Sequence, residues 1–353
     1  MGKNAVDRRA IAFAAAAVAV SFGATAALAN DDAVANFYKG KQVNIIVGSS
    51  PGGGYDLYGR LVSRYIGKYI PGTPRVVVNN MPGAASVVAL QNIYNIAPKD
   101  GTVIGAVYPG AIMEPLLGDR AKARYDVTKL NFIGSANSEL YVCVVRTDTG
   151  VKTFDDFVTK GIVLGASAAG GSTRDFPNLL KSVLGAKFKI VSGYPGSNEI
   201  SLAIEKNEVQ GVCGIGWSSV ASTRPQWIDG KDAKVIAQEG LNSSPVLDEK
   251  KVTMTISRAA NEQQRQVMNM FYAPLEFGRP FVMAPGVPDD RVTAIRSAFV
   301  ASLKDADLIA EAKKMHIEVD GLGGPEIQKL VAELFAAPPD AVAKARQIIG
   351  AGM

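Results

Sequence analysis

The amino-acid sequence predicts an α/β protein of two lobes, each a mostly parallel sheet flanked by helices, joined by a two-strand hinge. Three observations carry that expectation. An apolar run, Val43–Val47, leads through Gly48-Ser49-Ser50-Pro51-Gly52-Gly53-Gly54 into a stretch of helical periodicity, and the same strand, glycine loop and helix recur at least four more times. A second such series interrupts the first. From about Ala259 the first pattern resumes, so the chain passes between lobes twice, and two crossings make a hinge rather than a loose linker. The expected division is residues 1–29 as a signal peptide, 30–139 with 240–353 as one discontinuous lobe, and 140–239 as the other.

In the first unit Leu57, Leu61, Val62, Tyr65, Ile66, Tyr69 and Ile70 recur at helical spacing, with Arg60, Arg64 and Lys68 on the opposite face. A helix that starts on bare glycines leaves its first N–H groups unpaired at the positive end of its dipole, which makes an anion site. The β-branched run Arg75–Asn79 follows, then Asn80-Met81-Pro82-Gly83-Ala84-Ala85 and a helix from Ser86 to about Ala97. Thr102–Val107 reads as a strand, Tyr108-Pro109-Gly110 as a loop and Ala111–Leu117 as a short helix. Three loops of one lobe thus face one crevice at the carboxyl ends of its strands.

Asn131–Ser135 and Leu140–Val145 read as strands before the second series. Thr153-Phe154-Asp155-Asp156 has the form of a capping box, with a short helix to Lys160. Ile162–Ala166 is a strand, Ser167-Ala168-Ala169-Gly170-Gly171-Ser172-Thr173 a glycine and hydroxyl loop, and Arg174–Leu184 a helix with Pro177 in its first turn. Phe188–Val191 leads through Gly193-Tyr194-Pro195-Gly196-Ser197-Asn198 to a helix ending near Asn207, and the strands Val209–Ile215 and Lys234–Gln238 complete this series. In the resumed first lobe, Phe281–Ala284 is a strand and Asp289 to Lys304 a helix. Ile317–Val319 is a short strand, Gly321–Glu326 opens a further helix, and Ala336–Met353 forms an extra one.

With 353 residues, 47% hydrophobic and 20% charged, the composition is ordinary globular material with room for two modest domains. Lys3, Arg8 and Arg9 precede an uncharged run from Ala10 to Asn30, and Ala27-Leu28-Ala29 offers a small-x-small cleavage site. These features predict cleavage near Ala29 and a soluble exported protein; the alternative, a retained membrane anchor, fits the alanine-heavy run less well. Without residues 1–29, which hold Lys3, Asp7, Arg8 and Arg9, the net charge falls from +5 to about +3. No basic run remains, which argues against nucleic acid as a partner.

Cys143 and Cys213 lie in apolar strand-like runs, and export leaves a disulfide and two buried free thiols equally open. His316, the only histidine, reads as structural, since it has no partners for a triad or a metal site. Neither a cofactor nor a metal is expected.

Five motifs in order, Pro51–Asp56, Asn80-Met81-Pro82-Gly83-Ala84, Pro98-Lys99-Asp100-Gly101, Tyr194-x-Gly196-Ser197 followed by Val209, and Gly323-Gly324-Pro325-Glu326, make the chain resemble the Bug-type receptors of the tripartite tricarboxylate transporter systems. The resemblance implies a type II periplasmic-binding-protein fold that closes on a small carboxylate, held largely by backbone N–H groups, and delivery of that ligand by a monomer to membrane permease subunits. It implies ligand contacts from Gly52, Gly53, Gly54, Tyr55 and Asp56, with Ala84, Tyr108 and Gly110, in the first lobe. Ser167, Ala169, Gly171, Ser172 and Thr173, with Tyr194, Gly196 and Ser197, would serve from the second.

The chain departs from the family in two places. Arg174-Asp175 stands where an amide or histidine is usual, so that Arg174 would suit a distal carboxylate and Asp175 an amine, unless the two are a solvent-facing pair. Gln210 replaces a common Asp and is followed by Gly211–Gly216 and Trp217, whose ring suits either an apolar part of the ligand or the core. Two other function classes compete. A sensor subunit would present the same closed surface to a membrane kinase, whereas an enzyme would have no nucleophile–histidine pair, metal cluster or Walker loop here and would have to work with a pair of carboxylates such as Asp56 and Asp175.

Overall fold

The computed structural model describes residues 32–118 and 123–350, so the segment read as a signal peptide lies outside the described residues. Two sheets organise the chain. The first contains β1 (Gln42–Val47), β2 (Arg75–Asn80), β3 (Val103–Ala106), β4 (Asn131–Ser135) and β11 (Pro280–Met283), in the order β2-β1-β3-β11-β4. The second contains β5 (Tyr141–Arg146), β6 (Val163–Ala166), β7 (Lys189–Ser192), β8 (Gly211–Gly216), β9 (Ala233–Glu239) and β10 (Thr253–Met254), in the order β10-β9-β5-β8-β6-β7.

Each sheet is parallel except for one strand. β11 runs against β3 and β4, and β5 runs against β8 and β9. These two are the first strands after the chain crosses from one sheet to the other. A strand entering from the opposite lobe meets the sheet at its carboxyl edge, so it has to run the other way.

Helices cover the faces. After a helical turn at 32–38, which is α1, the first sheet carries α2 (Gly54–Ile66), α3 (Val87–Asn95), α4 (Pro109–Leu117), α11 (Asp289–Leu303), α12 (Ala306–Lys314) and α13 (Gly324–Phe335). With the second go α5 (Phe154–Thr159), α6 (Ser172–Leu184), α7 (Ser197–Glu205), α8 (Trp217–Thr223), α9 (Pro245–Glu249), α10 (Glu262–Tyr272) and α14 (Pro339–Gly350). One core cluster fills the first lobe around Ile45, Leu90, Phe132, Phe281 and Phe299. Two more lie against the second sheet, one around Phe157, Leu164, Phe176 and Phe271, the other around Val142, Ile200, Val220 and Trp227. No described helix is long and apolar enough to cross a membrane.

Several sequence expectations shift. β10 pairs with β9, and Val267, Met268 and Phe271 of α10 join a core of the second sheet. The strands therefore change sheet between Met254 and Pro280, later than a boundary at 240. The extra C-terminal helix exists as α14, and Val342 and Ala345 join the same second-sheet core, so the chain returns a third time. Residues 317–319 form no strand. Instead α12 ends in a Schellman turn, with Ile317 N–H on Ala312 O at 3.1 Å, His316 N–H on Lys313 O at 3.2 Å and His316 at φ 54°. α6 starts at Ser172, two residues earlier than expected, which places Pro177 in its second turn. The capping box of Thr153 and Asp156 is present. Cys143 and Cys213 are joined as a disulfide between the neighbouring strands β5 and β8.

The cations opposite the apolar stripe are used as well, because Arg64 of α2 pairs with Glu311 and Lys68, just past the end of α2, with Asp305 of the α12 region.

Candidate functional site

The carboxyl ends of β1, β3, β6, β7 and β8 all lead directly into helices, and those helices begin at one cleft between the lobes. α2, α6, α7 and α8 have glycine at the N-cap (Gly53, Gly171, Gly196 and Gly216), and none of these caps is closed by a side chain. Thr153, Asn261 and Asp305 close the starts of α5, α10 and α12, whereas α9, α11 and α13, like the cleft helices, have no side-chain cap. Bare N–H groups gathered at one place form a positive, adaptable anion cradle. Tyr55, Tyr108, Tyr141, Ser167, Ser172, Thr173, Gly196, Ser197, Gly214, Ile215, Gly216, Ser219 and Arg279 line it.

The lobes are closed on each other. A Cβ on Gly110 would lie 1.7 Å from Gly170 O, and one on Gly54 would lie 2.0 Å from Ser219 Oγ. Ser50 Oγ donates to Glu199 Oε2 at 2.9 Å across the opening, and the Tyr55 and Tyr141 hydroxyls meet at 3.1 Å. Tyr55 also stacks on Tyr108, with ring centroids 4.2 Å apart, and donates to Gly278 O at 3.0 Å. Burial raises the pKa of both Tyr55 and Tyr108, so both hydroxyls stay protonated, and the Tyr55 proton is the one given to Gly278 O.

The residues expected from the sequence fall into three groups. Tyr55, Tyr108, Ser167, Ser172, Thr173, Gly196 and Ser197 line the cleft, and Gly53, Gly54, Gly110 and Gly171 lie where the loops of the two lobes meet. Within the second-lobe loop, Thr173 Oγ1 takes the Ser167 N–H at 3.0 Å and Ser172 Oγ donates to Gly214 O at 2.7 Å, fixing the hydroxyls in place.

A second group braces the loops. Asp56 accepts from Gly52 N–H and Arg60 Nε at 2.9 Å each and from Asn80 Nδ2 at 2.9 Å. Burial alone would raise its carboxyl, but those hydrogen bonds outweigh it and hold the group below the usual range. Ala84 is exposed, and it is Ala85 that approaches the second lobe, 3.3 Å from a Cβ built on Gly171. Ala84, Ala85 and Ser86 all have positive φ, of 43°, 51° and 75°. The buried Ser86 hydroxyl holds this turn by donating to Gly48 O at 2.9 Å and accepting Tyr108 N–H at 3.2 Å.

The third group stands apart from the cradle. Ala169 is exposed, and Gly52 is exposed with its built Cβ 3.6 Å from Asn198. Tyr194 packs beside the core of the second sheet, and Trp217 is buried in it with Val220 and Trp227. Gln210 bridges to β6 through Val163 N–H at 2.9 Å. Arg174 and Asp175 do not face solvent; their side chains are 8% and 9% exposed and pair at 3.3 Å.

Sequence reasoning missed Arg279 and Glu139. Glu139 stands between β4 and β5 and Arg279 just before β11, so each lies on one of the two strand crossings, and they form an ion pair with both side chains 2% exposed. Ser218 bridges them, donating to Glu139 Oε2 at 2.6 Å and accepting from Arg279 at 2.9 Å. The guanidinium lies 4.2 Å from the Tyr55 ring centroid at the base of the cleft. Burial opposes its charge, but Glu139 and the surrounding tyrosines outweigh that and keep it protonated. The signal was an arginine inside the apolar run Phe277-Gly278-Arg279-Pro280-Phe281-Val282.

Two lobes closing on an anion cradle define the class: this is the periplasmic-binding-protein fold. Residues 66–210 match the family TctC, described as tripartite tricarboxylate transporter family receptor, so the resemblance read from the motifs is shown over that segment. The periplasmic binding protein BugD superposes with a TM-score of 0.72 at 18% identity, covering 88% of this chain and 98% of its own. Rpa4515 of R. palustris with adipate gives 0.70 at 19% identity, covering 88% and 97%. MatC of Rhodopseudomonas palustris with bound malate gives 0.67 at 17% identity, covering 88% and 99%. No curated protein matches the chain.

Proposed function

We propose that the chain is a solute-binding receptor that captures a small carboxylate between its lobes and delivers it to membrane permease subunits of a tripartite transporter. The observation that carries this reading is the meeting of glycine-capped, otherwise uncapped helix starts at one interlobe cleft. Similar structures that hold adipate and malate support it. Charge-assisted hydrogen bonds from such N–H groups contribute ~1.5–3 kcal/mol each before ordering costs, and a micromolar dissociation constant needs only ~8 kcal/mol in all. The carboxylate sits among Ser167, Ser172, Thr173, Gly196, Ser197 and Ser219, with Tyr108 as a further donor. Closure is what the permease reads, because a ligand held by both lobes shifts the receptor toward the closed arrangement. The chain works in the periplasm as a monomer after removal of residues 1–29, and it binds without turnover.

A thermal-shift screen over di- and tricarboxylates, aromatic carboxylates and amino acids tests this. A ligand at 100 times its dissociation constant stabilises by ~2.7 kcal/mol, which is a readily measured rise. If only uncharged compounds stabilise the protein, the carboxylate reading is wrong; chemical turnover of a bound compound would overturn the receptor reading.

A further inference from the structure

The chain passes between the lobes a third time, apart from the two strand crossings. It leaves the first lobe at the end of α13, where Leu334 and Phe335 pack against the cores of both lobes. Residues 336–338 then lead into α14. That helix lies along the seam between α4 and α6, two helices that both begin at the cleft, and it touches α4 on one side and α6 and α10 on the other.

The seam joins different lobes. α4 follows β3 of the first sheet, and its Ala111 and Ile112 are buried in the first-lobe core. The next turn of α4 turns toward the other lobe, with Met113 and Leu117 in the apolar cluster of the second sheet. Val342 and Ala345 of α14 are buried in that same cluster. One polar contact also ties α14 to α4: Arg346 Nε donates to Leu116 O at 2.7 Å. Leu116 is in the last turn of α4, where helix geometry leaves carbonyls without an intrahelical donor and the negative end of the dipole favours a cation.

We propose that α14 is a strap that favours the closed arrangement and so raises ligand affinity, a role that rests on the receptor reading above. The reason is geometric. α4 belongs to one lobe and α6 with α10 to the other, so α14 cannot keep both sets of contacts once the lobes part. Parting exposes apolar side chains on one side of the helix or the other, and it breaks the Arg346 contact if α14 follows the second lobe. Whichever lobe α14 follows, the closed arrangement has contacts that the open one lacks. A ligand that binds the closed arrangement gains that difference as tighter apparent binding. Among the described residues none of α14 lines the cradle, so the strap acts on the lobes and leaves the ligand untouched.

The test titrates adipate and malate into the full mature chain by calorimetry and follows their release by stopped flow. Arg346→Ala removes the tie to α4, Arg346→Lys keeps a donor there, and Ala345→Glu puts a carboxylate at a position 1% exposed, undocking the helix. Arg346→Ala should weaken binding ~3-fold, with most of that regained in Arg346→Lys. Ala345→Glu should weaken it at least ~10-fold. Both losses should come from faster release, with association little changed. Unchanged affinity in Arg346→Ala overturns the part given to Arg346. Unchanged or tighter binding in a folded Ala345→Glu protein overturns the strap, and if that variant does not fold, Arg346→Ala decides. If neither compound binds the wild type, small-angle scattering of the free proteins decides instead: a larger radius of gyration in Arg346→Ala supports the strap, and an equal one overturns it. The receptor reading is judged separately, by the wider carboxylate screen.

Discussion

Gly110 sits at the start of α4 where the loops of the two lobes touch, and a Cβ there would lie 1.7 Å from Gly170 O and 2.9 Å from its carbonyl carbon. Both neighbours are backbone, so no side-chain rotation relieves the overlap, and the lobes would have to part. With the lobes parted, the same methyl group would clear Gly170. Gly110→Ala should therefore leave the unliganded melting temperature nearly unchanged and weaken carboxylate binding at least ~10-fold, about 1.4 kcal/mol. Calorimetry against the best ligand checks this, with differential scanning calorimetry of the free protein as control. Unaltered affinity would show that the ligand-bound state does not need the loops in contact. Gly53 is a weaker place for the same experiment, because a Cβ there meets the movable Ser197 Oγ at 3.3 Å. The glycine motif was legible in the sequence as a cradle, but which glycine lies against opposing backbone depends on lobe geometry that spacing does not encode.

At the scale of elements, β8 is held by two buried devices. The Cys143–Cys213 disulfide ties it to β5, and Glu239 of β9 accepts Gly214 N–H at 2.6 Å. Glu239 Oε1 has no hydrogen-bond partner among the described residues, and burial raises the carboxyl to about 8 from an ordinary value of 4.5. A raised carboxyl pKa means the folded state holds its proton more tightly than the unfolded chain. The resulting stability is fully present below 4.5, declines as pH rises and is lost by about 8. Asp175, raised to about 7, acts in the same direction. Melting of the wild type should thus drop between pH 5.5 and 8.5, and Glu239→Gln should drop less, the gap widening by on the order of 2 kcal/mol. Parallel melting curves for the two proteins across that range would count against a buried protonated Glu239. Strands and helices of this kind were legible because apolar runs, glycine loops and 3.6-residue stripes coincide. The ends of elements were less so: the Schellman turn at His316 uses a left-handed non-glycine residue, and β10 is too short to leave a pattern.

For the whole molecule, closing and opening turn on the crossings, and there the sequence was silent. Glu139 and Arg279 are 140 residues apart, one on each crossing, and only the fold brings them together. Their pair is buried with Ser218 and the Tyr55 ring, so neither charge reaches water. Breaking such a pair by removing one partner typically costs ~3–5 kcal/mol, because the other charge is left without compensation, whereas removing both together is nearly neutral. Arg279→Met and Glu139→Gln should each destabilise by about that amount, and the double variant should recover most of the loss. Urea denaturation of the four proteins gives the cycle. Ligand affinity separates the two parts Arg279 plays, since the guanidinium also lies on the cleft wall. If the pair only holds the crossings, the double variant regains carboxylate binding together with its stability. If Arg279 also adds positive potential to the cradle, the double variant is stable yet binds more weakly, with less loss of affinity on adding salt than the wild type shows. An electrostatic part in binding predicts the second outcome, because Arg279 is the cationic side chain among the described residues that line the anion cradle, and removing its pair with Glu139 leaves only helix-start N–H groups as a source of positive potential for the anion.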